Sequence, residues 1–196
     1  MNEPSLTTGP DQRERIAPLK PPYEKEVGAH LAKTMPKWSK MPPLRLFRIF
    51  ARHFPMARAL FDVGGFILAR GALDPADREI VILRTCARCG AEYEWGVHAV
   101  SYPPRLGITP EQVAATYASG PGDPVFSARQ ALLVRIADAL HDTSTLDDEL
   151  WAEAAGAFDE PQRLELTLVA GFYHFVSYIV NATRVEQEPW AARFPG

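Results

Sequence analysis

Between Asp74 and Tyr102 the chain reads D-P-A-D-R-E-I-V-I-L-R-T-C-A-R-C-G-A-E-Y-E-W-G-V-H-A-V-S-Y. Asp74 can cap a helix that Pro75 opens, because a proline at the first helical position gives up no intrahelical hydrogen bond. Apolar residues at helical spacing carry this helix to about Arg88, and Gly90 ends it. A second helix is predicted from Ala91 or Glu92 to Tyr102, stopped by Pro103 and Pro104. So short a link makes the pair a helical hairpin. On the second helix Ala91, Glu94, Trp95, His98 and Tyr102 fall three or four apart and share a face. Glu79, Ile82, Leu83 and Cys86 do the same on the first. Where these faces meet, Glu79, Glu94 and His98 converge, with Tyr93 at the margin.

Outward from the hairpin, helix follows helix. Residues 1–22 are polar and rich in proline, which predicts an extended N-terminal arm whose end can still dock. A short helix is expected over Tyr23 to Lys33, then a proline-punctuated loop holding Trp38, then helices over Leu44 to His53 and Pro55 to Leu68. Thr109 with Gln112 and Ser127 with Gln130 spell capping boxes for helices to about Tyr117 and over Ala128 to His141. Another helix is expected from Asp147 to Phe158, and Asp159 with Gln162 caps a long one toward Thr183. No segment makes a strand. Residues 23–196 therefore read as one all-α domain, an orthogonal helical bundle around the hairpin.

A formal charge of −3 and the absence of lysine or arginine runs exclude a broad basic field, so no nucleic-acid partner is expected. The N-terminus has acidic residues and no apolar run, which is unlike a signal or transit peptide, and a cytoplasmic location is the expectation. Leu164 to Ala182 is apolar but interrupted by Glu165, His174 and Asn181, so a buried helix is expected there and no membrane span. The apolar, aromatic tail with Trp190 and Phe194 is hard for a monomer to cover and points to a homo-oligomer. No Gly-rich phosphate loop is present, and no cofactor is expected.

Each reactive residue has a plain structural reading beside the functional one. Glu79 can be a solvated helix residue or a partner for Arg78 or Arg84. Glu94 and His98, one turn apart, can be an ordinary helix-surface pair. Trp95 and Tyr102 on the same face favour a buried face or a cleft, with Leu83 lining it from the first helix. Cys86 and Cys89 form C-A-R-C, a redox spacing in other folds. Here it sits at a helix C-terminus, where the dipole disfavours a thiolate, so packing cysteines are expected. Zinc on Cys86, Cys89 and His98 lacks a fourth ligand at finger spacing, and no metal is expected. Tyr173, His174 and Asn181 read as core groups that could also line the cleft, while His30, His53 and His141 have no supporting constellation.

The run R-E-I-V-I-L-R, a Cys- and Gly-containing link and E-Y-E-W-x-x-H together resemble the carboxymuconolactone decarboxylase-like proteins, a superfamily that includes the alkyl hydroperoxidase D enzymes. So do R-I-A-P-L-K-P-P-Y at Arg15 to Tyr23, P-P-L-R-L-F-R at Pro42 to Arg48 and G-F-Y-H-F-V-S-Y-I-V-N-A-T-R-V at Gly171 to Val185. Counting from Glu79, the hydroperoxidase pattern puts Ala91 and Glu94 at its two cysteine positions and His98 at its histidine. The resemblance implies a helical bundle that forms dimers, trimers or hexamers, and a cofactor-free enzyme acting by proton transfer on a small carboxylated or lactone-like molecule. Catalytic residues would be Glu79, Glu94, His98 and Tyr93. Two other readings are a thiol peroxidase using Cys86 and Cys89 and a non-catalytic small-molecule-binding or assembly protein.

Overall fold

The computed structural model describes residues 14–35 and 41–196; residues 1–13, the start of the expected arm, and Trp38 with its loop lie outside them. In chain order the helices are α1 Lys25–Leu31, α2 Arg45–Phe50, a 3-10 turn Ala51–His53, α3 Phe54–Ala69 and α4 Pro75–Arg88. They continue as α5 Glu92–Ser101, α6 Pro103–Leu106, α7 Pro110–Ala118, α8 Ala128–Thr143, α9 Asp148–Ala157 and α10 Glu160–Thr183. No strand occurs among the described residues.

The local signals act as written. Asp74 accepts from the Ala76 amide to start α4, and both halves of the capping boxes at Thr109, Ser127 and Asp159 are formed. One local reading needs correction. Pro103 ends α5, but it also opens α6, a single turn closed by Gly107 at φ 69°.

α4 is the axis of the bundle. It packs against α5, α7, α8 and α10, and Ile80, Val81, Ile82 and Leu83 have no exposed surface. A helix apolar on successive positions must be covered on every side, which neighbours crossing at differing angles achieve. At its end Ala91 N donates to Cys86 O at 2.9 Å and Gly90 N to Ala87 O at 3.0 Å, while Gly90 takes φ 62°. This Schellman turn needs the left-handed residue that glycine supplies without a Cβ penalty, and it sends the chain straight back along α4 as α5.

α10 is the one described helix long and apolar enough to cross a membrane. Its inner face, including Val169, Tyr173, Val176 and Val180, is buried in the bundle, while Leu164, Leu168 and Tyr178 are exposed.

Residues 14–19 and the C-terminal tail both pack on the bundle. Arg15 N donates to Thr183 O at 2.8 Å and Leu19 N to Arg48 O at 3.2 Å, so the end of the arm docks. The tail folds back on its own chain: Phe194 stacks on Tyr117 at 4.0 Å between ring centroids and packs on Trp95 at 5.3 Å. Gly96 lets the tail come this close. A Cβ there would lie 2.1 Å from Ala192 O, a backbone atom that cannot swing aside. Phe194 and Trp190 are thus half-buried within their own chain, Phe194 against Trp95 and Tyr117 and Trp190 in the cavity wall.

Candidate active site

Returning α5 along α4 sets His98 opposite Glu79. His98 Nδ1 lies 2.8 Å from Glu79 Oε1, with the histidine 4 % exposed and the glutamate not at all. The other imidazole nitrogen, Nε2, lies 3.2 Å from the Tyr173 hydroxyl and 3.5 Å from Glu94 Oε1. Tyr102 stacks on the ring with centroids 4.8 Å apart, and Tyr173 meets it edge-on.

Burial by itself drives the His98 pKa down. The Glu79 charge and the hydrogen bonds to Glu79 and Glu94 outweigh it and hold the pKa at about 10. At neutral pH the ring is thus an imidazolium. It donates from Nδ1 to Glu79 and presents a second proton at Nε2 between Tyr173 and Glu94. Burial, reinforced by the nearby carboxylates, raises the pKa of Tyr102 and Tyr173, so both phenols keep their protons and can donate. Glu79 Oε2 has no hydrogen-bond partner.

His98, Glu94, Tyr102 and Tyr173 open onto a cavity of about 580 Å³. Its far walls come from Phe47 and Phe50 of α2, Phe61 of α3, Phe172 of α10 and Trp190 of the tail, and Arg105 is an exposed member of the lining. A largely apolar enclosure with a few convergent polar groups is the usual form of a small-molecule site. Glu79 stands behind His98 and outside the lining, where it orients the imidazole.

Several sequence-based assignments change. Tyr93 does not face this site: its hydroxyl donates to Glu188 Oε1 at 2.8 Å and accepts from Leu46 N at 3.2 Å, tying the tail to α2. Being next to Glu94 in a helix, it points about 100° away. For the same reason Trp95 leaves the cleft, donating from Nε1 to Thr116 Oγ1 at 3.0 Å. Leu83 is core and not cavity wall. Arg84 does not pair with Glu79; it grips Asp138 through Nε at 2.6 Å and Nη2 at 2.9 Å.

Neither cysteine lines the cavity. Cys86 is fully buried, and burial followed by the Glu94 charge pushes its thiol well above the usual range. Burial also raises Cys89, against Ser177 and Arg88, which pull it down. The trio of Cys86, Cys89 and His98 is not assembled around a common point; Cys89 Sγ instead lies 3.8 Å from His141 Nδ1. Sequence reasoning had seen no constellation around His141. Nor could it have found the walls from α2 and α3, since only their apolar periodicity is visible before folding.

Residues 55–139 match the sequence model of the Carboxymuconolactone decarboxylase family. No curated protein sequence matches the chain. Among solved structures, an uncharacterized peroxidase-related protein from Silicibacter sp. TM1040 is similar with TM-score 0.80 at 14% identity, covering 96% of this chain and 100% of that one. An alkylhydroperoxidase AhpD core protein from Ralstonia eutropha JMP134 gives TM-score 0.71 at 15% identity, covering 89% and 93%. A variant of the debrominase Bmp8 in complex with 2,3,4-tribromopyrrole gives 0.67 at 15% identity, covering 95% of each chain. At such identities the likeness is one of fold, an all-helical alkyl hydroperoxidase D-like architecture.

Proposed function

We propose, from the match of residues 55–139 to the Carboxymuconolactone decarboxylase family, that the chain is a cofactor-free proton-transfer enzyme of that family. It decarboxylates or isomerises a small carboxylated or lactone-like molecule with a substantial apolar part. The observation that carries this reading is the buried 2.8 Å contact of Glu79 with a His98 whose other nitrogen faces an apolar cavity beside Glu94.

His98 is the general acid. Loss of carbon dioxide or of an α-proton leaves an electron pair on the substrate as an enolate, and the Nε2 proton of the imidazolium neutralises it. Glu94 is placed to take a proton in an isomerisation, and Tyr173 to donate to the developing oxyanion. Two carboxylates beside the ring disfavour a substrate carboxylate at the cavity floor, so its charged end belongs toward Arg105 and its apolar part against Phe47, Phe61 and Phe172. That the debrominase of similar fold holds a flat halogenated ring supports an aromatic or planar apolar portion.

The absence of a thiol from the lining, with Ala91 and Glu94 at the hydroperoxidase cysteine positions, weighs against peroxide reduction in this cavity. Turnover measured on a panel of small carboxylated lactones and β-keto acids is the test. Replacing His98 by Gln should lower turnover by about a hundredfold or more while leaving ligand affinity nearly intact. Undiminished turnover in that variant would overturn the assignment. Ligand binding without any turnover in the unaltered protein would favour the binding-protein reading.

A homo-oligomer belongs to the same proposal, now supported by Leu164, Leu168 and Tyr178, which follow one exposed stripe of α10. Sedimentation should show a species larger than the 21.8 kDa chain that Leu164→Glu converts to monomer; a monomeric unaltered protein would remove the idea.

A further inference from the structure

α10 separates two polar environments. Tyr173 and Val176 line the apolar cavity, whereas His174 turns the other way, toward Cys89 at the end of α4 and His141 near the end of α8. We propose that Cys89, His141 and His174 form a zinc site, with the thiolate and two imidazoles as ligands and the fourth position open to water.

The geometry approximates a metal triad, with the two nitrogens somewhat close and the sulfur somewhat far. His141 Nδ1 and His174 Nε2 are 2.9 Å apart, Cys89 Sγ is 3.8 Å from His141 Nδ1, and all three ligand atoms lie within 4.8 Å of one another. A tetrahedral zinc with Zn–N of about 2.0 Å and Zn–S of about 2.3 Å sets its ligand atoms roughly 3.3 to 3.6 Å apart. Side-chain movements of about 1 Å would bring the three ligand atoms to these spacings.

Tautomer logic points the same way. His174 Nδ1 can only donate to the Ala170 carbonyl at 2.9 Å, which leaves the Nε2 lone pair aimed at His141. Such a backbone-anchored imidazole is the usual outer support of a metal-bound histidine. In the metal-free chain His141 Nδ1–H donates to that His174 lone pair at 2.9 Å, and an ion takes the place of this proton as His141 changes to its Nε2–H tautomer. Asn181 Nδ2 fixes the Cys89 carbonyl at 2.8 Å and so steadies the third ligand. The three side chains are all half-buried, which gives an ion a path in from solvent. Soft thiolate with imidazole selects zinc over magnesium or calcium, and binding displaces the Cys89 thiol proton to solvent.

The test is titration of the chelator-stripped full chain with cobalt(II), followed by displacement with zinc(II). One cobalt per chain is expected, with tetrahedral d–d bands and a thiolate-to-cobalt charge-transfer band that zinc abolishes. Cys89→Ser should remove the charge-transfer band. His174→Asn and His141→Asn should each weaken binding by about a hundredfold or more, since losing a ligand costs at least as much as losing an outer partner. Cys86→Ala, which removes the neighbouring thiol outside the triad, should keep both band and affinity. Circular dichroism on each variant identifies any that fail to fold, and the two histidine variants stand in for one another. Absence of the charge-transfer band at saturating cobalt, or binding that survives Cys89→Ser and a folded histidine variant alike, would overturn the site and leave a hydrogen-bonded histidine pair.

Discussion

Two buried charge clusters sit on α4 little more than one turn apart, and they are built oppositely. Arg84 is fully satisfied: both Nε and Nη2 meet Asp138, and Nη1 donates to Thr116 O at 2.9 Å and Ser119 O at 2.7 Å, joining α4 to α7 and α8. Glu79 is not. One carboxylate oxygen holds His98 and the other has no partner, although the residue is wholly buried. A buried acceptor left unpaired costs roughly 1 to 3 kcal/mol. The difference separates a structural clamp, which has no spare capacity, from a carboxylate that spends one oxygen on orienting His98 behind the cavity.

Removing Arg84 should show the clamp at its strongest. Arg84→Ala leaves Asp138 with only the longer Arg88 contact and two carbonyls without their donor, and should destabilise the protein by about 3 to 5 kcal/mol in urea unfolding. Its effect on any turnover should track the folded fraction. A loss below about 1 kcal/mol would erase the contrast, since that is the worth of a mere surface pair.

The pH dependence of stability sharpens the other half. His98 has a folded pKa raised from 6.5 to about 10. Its contribution is therefore fully present below pH 6.5 and is lost as pH rises toward 10. Unfolding free energy should fall over that window in the unaltered protein, and the His98→Gln variant should lack that component. A flat profile from pH 6.5 to 10 in the unaltered protein would mean that the pair does not stabilise the charged ring. The clamp, by contrast, should leave this window unchanged.

Much of the bundle is legible in the sequence because its helix ends are local chemistry. Asp74 with Pro75, the three capping boxes and Gly90 each act within a few residues of where they are written. The pairing of Glu79 with His98 follows from the same signals, since a tight glycine turn leaves facing positions on two antiparallel helices little choice. Tyr93 and Trp95 were misjudged because a one-residue step rotates a side chain by about 100°. Their partners, Glu188 and Thr116, lie far along the chain or in another helix. The cavity walls, the closure of the tail over Gly96 and the approach of His141 to His174 depend on tertiary packing that no local spacing encodes.

The central claim is that Glu79 holds His98 as an imidazolium facing the cavity. Nitrogen-15 NMR of the His98 ring across pH 5 to 10.5 addresses it directly. The account predicts that both ring nitrogens stay protonated through neutral pH and release a proton only near pH 10. In the Glu79→Gln variant the same ring should titrate far lower, because the burial that opposes its charge is no longer offset by the carboxylate. A His98 that loses its proton at or below pH 6.5 in the unaltered protein would contradict the account.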